Sequence, residues 1–123
     1  MKKKKILVVE DNEVSLKVLE AALVKAGYQV LCVASGEEAI EKARQIIPDL
    51  ILLDIQLPGI NGTEAAEKLQ QFPETKQIPM FYITGLLDKA EEADLHHSLL
   101  GHYFIAKPFD PAQLLKAIKE KIG

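Results

Sequence analysis

The sequence predicts a doubly wound α/β fold, in which helices cover both faces of a five-stranded parallel sheet. Two observations lead to this prediction. Five short apolar runs are typical of strands buried on both faces: KILVV (5–9), QVLCVA (29–34), LILLD (50–54), MFYIT (80–84) and YFIA (103–106). Between them lie stretches with apolar residues at helical spacing, and this alternation favours parallel strands joined by right-handed crossovers.

The first two predicted helices each have an apolar face and a recognisable end. Gly27 stands where the first helix needs a C-terminal cap. The second opens with a capping box formed by Ser35 and Glu38, and it ends before Pro48. The residues expected to face the core are Leu16, Leu19, Leu23 and Ala26 in the first helix and Ile40, Ala43 and Ile47 in the second.

The other three predicted helices differ in how strongly the sequence specifies them. The third follows Asn61, with Glu64 three residues later. The fourth, over residues 88–99, has only a small apolar side, so we expect it to be the most mobile element. The fifth begins at Asp110 with Pro111 in its first turn. The residues expected to face the core are Ala65, Leu69, Leu114, Leu115, Ile118 and Ile122.

Composition excludes several classes of protein. The chain has 123 residues, 48% of them hydrophobic, which predicts a single domain over residues 1–123 with a real core. A net charge of -3 gives no overall bias toward nucleic acid or an anionic membrane, and Lys2 to Lys5 are interpreted as a solvated terminus. Cys32 is the one cysteine, so no internal disulfide is possible. We expect a cytoplasmic protein without membrane insertion or direct nucleic-acid binding.

The expected strand order is the flavodoxin-like order 2-1-3-4-5, in which ligands bind beyond the carboxyl ends of the strands. Polar residues follow or end strands 1, 3, 4 and 5 at this edge of the sheet, and each of them also has a plain structural explanation. The acidic pair after the first strand could cap a helix, the hydroxyl could reflect strand propensity, and the lysine could lie on the surface. These residues are Glu10, Asp11, Asp54, Thr84 and Lys107.

Their coincidence at one sheet edge predicts a phosphoryl-acceptor site. Three clustered carboxylates repel one another unless a cation neutralises them, and hard oxygen ligands suit Mg²⁺. A carboxylate such as Asp54 can attack phosphorus to give an acyl phosphate. Mg²⁺ and the Lys107 ammonium could neutralise the phosphoryl oxygens, while the Thr84 hydroxyl donates a hydrogen bond to one of them.

Four segments together resemble the receiver domain of two-component response regulators, in particular its single-domain, chemotaxis-regulator-like members. They are VVEDN (8–12), DLILLDIQLPGING (49–62), YITG (82–85) and AKPF (106–109). The resemblance covers essentially the whole chain. It implies that Asp54 accepts a phosphoryl group from a histidine kinase or a histidine phosphotransfer protein. It also implies that Asp11, Asp54 and the backbone carbonyl of Gln56 ligate Mg²⁺, with Glu10 acting largely through water.

The same resemblance implies a conformational switch. Thr84 and Lys107 match the family's switch hydroxyl and lysine, and Phe104 matches its switch aromatic residue. Phosphorylation would draw the Thr84 side chain toward the phosphoryl group and let the Phe104 ring turn inward. This change would remodel the face of the fourth helix, fifth strand and fifth helix, where a downstream protein would bind. A phosphorylation-dependent dimer is among the assemblies that the resemblance allows. The protein would be a regulator, with at most self-catalysed phosphorylation and dephosphorylation.

Several alternatives stay open from the sequence. A phosphohydrolase of the haloacid dehalogenase type also uses a strand-end aspartate, but such enzymes have a second aspartate where this chain has Gln56. A flavin-binding electron carrier would need a Gly- and hydroxyl-rich loop after the first strand, where this chain has EDN (10–12). The chain could equally be a free-standing regulator, a relay intermediate or the receiver module of a hybrid histidine kinase. A degenerate receiver that only binds partners is disfavoured by the complete residue set.

Overall fold

Five strands form one parallel sheet in the predicted order, β2-β1-β3-β4-β5. The computed structural model describes residues 3–84, 103–106 and 110–123, and of residues 84, 103, 104 and 106 it describes the backbone alone. The strands are β1 (Lys5–Val9), β2 (Gln29–Val33), β3 (Leu50–Asp54), β4 (Met80–Thr84) and β5 (Tyr103–Ala106). β3 therefore lies at the centre of the sheet, between β1 and β4.

The described residues also contain four helices: α1 (Glu13–Lys25), α2 (Gly36–Ile46), α3 (Gly62–Leu69) and α4 (Pro111–Ile122). The helix predicted over residues 88–99 lies outside the described residues, so the predicted fifth helix is α4 here. None of the helices in the described ranges is long and apolar enough to cross a membrane.

Side chains placed just before each helix satisfy free amide groups of its first turn, as polar cap residues do in general. Asn61 and Glu64, which the sequence places at the start of α3, form a complete capping box. At α2 the Ser35 hydroxyl oxygen accepts a hydrogen bond from the Glu38 amide at 3.2 Å, and the hydroxyl also lies 3.2 Å from the Glu38 carboxylate. The other N-terminal caps are Asn12 for α1 and Asp110 for α4.

The core consists of two clusters, one on each face of the sheet, because successive strand residues point to opposite faces. The cluster under α2 and α3 contains Leu7, Val9, Ile51, Leu53, Ala39, Ala43, Ala66 and Leu69, among others. The cluster under α1 and α4 contains Ile6, Val8, Leu50, Leu52, Leu19, Leu23, Leu114 and Ile118, among others. Every residue of β3 is buried, so packing on both faces of the sheet fixes the position of the end of this strand.

Two predicted core positions are wrong, and the predicted burial of one strand is only partly right. Ile47 does not face inward: it is 42% exposed and adopts the left-handed conformation with φ 46°. The physical reason is Pro48, which disfavours the helical conformation in the residue before it. Ala26, the last residue before Gly27, is exposed as the C-cap of α1. β2 is an edge strand, and only Val33 in it is buried.

Cys32 in β2 is expected to be almost inert toward thiol reagents in the folded protein. Its sulfur lies 3.4 Å from a carboxylate oxygen of Glu20. Burial is the main cause, and this carboxylate the second cause, of a thiol pKa raised to about 12. Since the thiolate is the nucleophile, we expect alkylation by iodoacetamide at pH 8 to be at least about 100-fold slower than in urea-unfolded protein. Equal rates in folded and unfolded protein, followed by mass spectrometry, would contradict this description of Cys32.

Candidate functional site

Three carboxylates meet beyond the carboxyl ends of β1 and β3. Because Val9 pairs with Leu53 in the sheet, the next residue of each strand lies at the same edge. One oxygen from each of Glu10, Asp11 and Asp54 lies within 4.8 Å of the others. In the described part of the chain, these are the residues of a possible metal site. The predicted convergence of the acidic residues is therefore present.

Two of the three carboxylates are almost fully buried. Glu10 is 1% exposed and Asp54 is 3% exposed, whereas Asp11 is exposed. A buried carboxylate is costly unless hydrogen bonds satisfy it. The Asn12 amide donates to Glu10 at 3.0 Å, and the Gln56 amide donates to Asp54 at 2.9 Å. Both side chains are thus oriented by the backbone of the loop that follows them, and the cluster opens to solvent at Asp11.

The donor set fits a small hard cation. Three carboxylates place several oxygen atoms and a high negative charge in one small volume, with an open side. Mg²⁺ prefers oxygen ligands and usually retains several waters, which an open side allows. Glu10, Asp11 and Asp54 are therefore the residues that could hold the ion.

The other predicted site residues are described less fully. Thr84 ends β4 one position after Ile83, the residue that pairs with Asp54, so its backbone lies at the same sheet edge. Gln56 is exposed and follows Asp54 by two residues. Phe104 lies in β5 opposite Tyr82 of β4. Lys107 lies outside the described residues, so its predicted place in the site stays a prediction.

The loop after Asp54, residues 55–61, is held at several points. At its start, the Ile55 amide donates to the Ile83 carbonyl at 3.0 Å, which extends the pairing of β3 with β4. At its end, the Gly62 amide donates to the Ile55 carbonyl at 2.9 Å and closes the loop on itself. In between, the Ile60 amide donates to a carboxylate oxygen of Glu37 in α2 at 3.0 Å.

Gly62, the first residue of α3, packs directly against the backbone of Asp54 and Ile55. A Cβ atom there would lie 2.8 Å from the Cα of Ile55 and 3.0 Å from the carbonyl carbon of Asp54, and closest of all to the Asp54 carbonyl oxygen. These are backbone atoms, which cannot rotate away as a side chain can. The position therefore requires glycine so that α3 can approach the end of β3.

Sequence reasoning missed two residues that shape this site. Gly62 had a signal, since glycine is a poor residue for the first turn of a helix that Asn61 already caps. Glu37 had none, because its contact with Ile60 joins two elements that the sequence pattern does not connect.

Comparisons with known proteins agree on one family. Residues 6–119 match the family model described as the response regulator receiver domain. The polar-differentiation response regulator DivK of Brucella ovis is 34% identical over 120 residues, which cover 98% of this chain and 97% of that protein.

Solved structures show the same likeness in three dimensions. The chemotaxis protein CheY4 of Vibrio cholerae matches with a TM-score of 0.86 and 26% identity, covering 98% of this chain and 99% of that one. The receiver domain of a sensor histidine kinase from Pseudomonas aeruginosa matches with a TM-score of 0.85 and 31% identity, covering 99% of both chains. That structure has a magnesium ion coordinated in its active-site cleft.

Proposed function

The chain belongs to the response regulator receiver family, a family of phosphoacceptor switches in two-component signalling, and on this premise we propose that Asp54 is its phosphoryl acceptor. The observation that carries the proposal is the position of Asp54. It ends the fully buried central strand, and its carboxylate lies within 4.8 Å of those of Glu10 and Asp11. A carboxylate held this rigidly presents an oriented oxygen to an incoming phosphorus atom.

The proposed reaction is a phosphoryl transfer from a phosphohistidine. A carboxylate oxygen of Asp54 attacks phosphorus, a new P–O bond forms, and the P–N bond of the donor breaks. The departing histidine nitrogen keeps the bonding electron pair and takes up a proton, and the product is an acyl phosphate on Asp54. The donor is a histidine kinase or a histidine phosphotransfer protein, as the family implies. Catalysis of such a transfer depends mainly on positioning and on stabilising negative charge.

Mg²⁺ is the proposed cofactor, held by Asp11, Asp54 and the backbone carbonyl of Gln56, with Glu10 acting largely through water. When bound, the ion neutralises negative charge on the phosphoryl oxygens. Support comes from the acidic cluster of this chain and from the magnesium ion in the similar receiver domain of Pseudomonas aeruginosa. Glu10 and Asp54 are pre-oriented by the Asn12 and Gln56 amides, so little rearrangement is needed for binding.

The proposed output is a change around Thr84 and Phe104. The Thr84 hydroxyl and the Lys107 ammonium would contact the phosphoryl group, and the Phe104 ring would turn inward. The backbone position of Thr84, one step past the partner of Asp54 in the sheet, supports this role. A downstream protein would then bind the face that includes β5 and α4.

The acceptor chemistry is tested by incubating the protein with acetyl phosphate, with and without Mg²⁺, and measuring its intact mass. We expect a gain of one phosphoryl group with Mg²⁺ and very little without it. Hydroxylamine should remove the group, since it cleaves acyl phosphates but not phosphate esters of serine or threonine. No gain of mass in the presence of Mg²⁺, or a hydroxylamine-resistant product, would refute the proposal.

A further inference from the structure

The loop of residues 55–61 is hydrogen-bonded to α2, a helix that contributes no residue to the acidic cluster. Glu37, in the first turn of α2, accepts a hydrogen bond from the Ile60 amide at 3.0 Å. This amide belongs to the loop of residues 55–61, which runs from Asp54 to α3 and carries the Gln56 carbonyl. A side chain of one element thus holds the backbone of another, 23 positions further along the chain.

Two glycines make this contact possible. Gly59 has φ 73°, and a Cβ atom there would lie 2.7 Å from the same Glu37 oxygen, so the loop backbone comes close to the carboxylate. A Cβ atom on Gly36 would lie 2.7 Å from the Ile60 side chain and 3.0 Å from its carbonyl oxygen. The first turn of α2 and the loop therefore touch at two adjacent points.

The first turn of α2 is itself a rigid support. Ser35 caps the helix, and Ala39 and Ala43 are fully buried in the core under α2 and α3. Two backbone hydrogen bonds lower the pKa of Glu37: the larger effect comes from the Ile60 amide and the next from the amide of Glu37 itself. Glu37 is therefore a carboxylate at neutral pH. Because Glu37 is exposed, its charge is well screened by water, and its influence comes from geometry.

We propose that Glu37 is a positioning residue for the phosphoryl-acceptor site, which sets the path of residues 55–61 and thereby the position of the Gln56 carbonyl. The inference rests on the proposed function, because it assigns the Gln56 carbonyl to the Mg²⁺ site. Loss of a residue that orients a metal ligand without touching the metal typically weakens metal binding by about 10- to 100-fold. Since Glu37 is exposed and acts through the backbone, we expect the smaller effect of about threefold to tenfold for its loss.

The test measures the Mg²⁺ dissociation constant of the full chain by calorimetry for the native protein, Glu37→Ala and Glu37→Gln. We expect weaker Mg²⁺ binding in Glu37→Ala and native-like binding in Glu37→Gln, because glutamine keeps an acceptor oxygen without the charge. The backbone amide signals of Gln56 and Ile60 in metal-free protein should shift in Glu37→Ala and stay close to their native positions in Glu37→Gln. If Glu37→Ala does not fold, Glu37→Asp replaces it, since the shorter side chain does not reach Ile60.

Glu74→Ala is the matched control. Glu74 is another exposed glutamate that holds two elements together, through a 2.8 Å ion pair with Arg44 of α2. Its loss removes the same charge from the protein and should leave the Mg²⁺ dissociation constant unchanged.

Each outcome has one meaning. Native Mg²⁺ affinity in Glu37→Ala overturns the inference, and so does equal weakening in Glu37→Ala and Glu37→Gln, which would assign the effect to charge. Equal weakening in the Glu74→Ala control overturns it as well. Absence of Mg²⁺ binding by the native chain would instead refute the proposed function.

Discussion

Asp54→Asn is expected to abolish phosphoryl uptake and, in metal-free buffer, to make the protein more stable. The amide nitrogen of asparagine cannot form an acyl phosphate, so the mass gain with acetyl phosphate should disappear. The asparagine oxygen can still accept the Gln56 amide, so the local structure is retained. Removing one of three clustered negative charges relieves repulsion, which we expect to raise the free energy of unfolding by about 1 kcal/mol.

Thermal unfolding and intact mass together test this prediction. Mg²⁺ should raise the Tm of the native protein by mass action and change that of Asp54→Asn much less. Asp49→Asn is the control, because Asp49 precedes the other end of β3 and accepts the Lys5 amide at 2.7 Å. It carries the same charge change and should be phosphorylated like the native chain. Phosphorylation of Asp54→Asn, or its loss in Asp49→Asn, would contradict the assignment of the acceptor.

Gly62→Ala is expected to destabilise the protein by about 3 kcal/mol, at the upper end of the cost of overpacking. The new methyl group would collide with the backbone of Asp54 and Ile55, and neither can yield by changing a rotamer. Alanine is otherwise the better helix residue, so helix propensity alone predicts the opposite sign. Because the collision displaces the acceptor itself, we also expect phosphorylation to slow by about tenfold to 100-fold.

Denaturant unfolding and the rate of mass gain with acetyl phosphate measure the two effects. Gly27→Ala provides the comparison, since a Cβ atom there meets nothing within 4 Å but has to adopt φ 98°. It should lose about 1 kcal/mol through backbone strain and keep the native phosphorylation rate. A Gly62→Ala protein with native stability and rate would show that α3 can move away from β3 without consequence.

The strands and the acidic cluster were predictable because both follow from short sequence patterns. Five apolar runs define the strands, and in a parallel sheet their ends share one edge, so Glu10, Asp11 and Asp54 meet without any further information. The same reasoning predicted the Asn61 cap of α3, since capping is a property of a few adjacent residues.

Contacts that depend on how separate elements pack were not predictable. Two such contacts are the hydrogen bond from the Ile60 amide to Glu37 and the close approach of Gly62 to Asp54. Both depend on distances between α2, α3 and β3, which no local sequence pattern encodes. Ile47 is a different case. Its apolar character and spacing favoured the core, but the restriction that Pro48 places on its backbone was the stronger effect.

The parallel order of the strands also determines when this protein can become functional. Every pair of neighbouring strands joins residues at least 22 positions apart, as with Phe81 and Tyr103, and the pair of β1 with β3 joins residues 44 apart, as with Ile6 and Leu50. Contacts of this range are slow to form, because a long segment must close before any pairing stabilises it. While the chain is being synthesised, Glu10 and Asp11 emerge well before Asp54. β1 therefore cannot pair with β3 until β3 has been made. The acidic cluster can form only after β1 has paired with β3, so on the proposed function phosphoryl uptake would report that these two strands are in place.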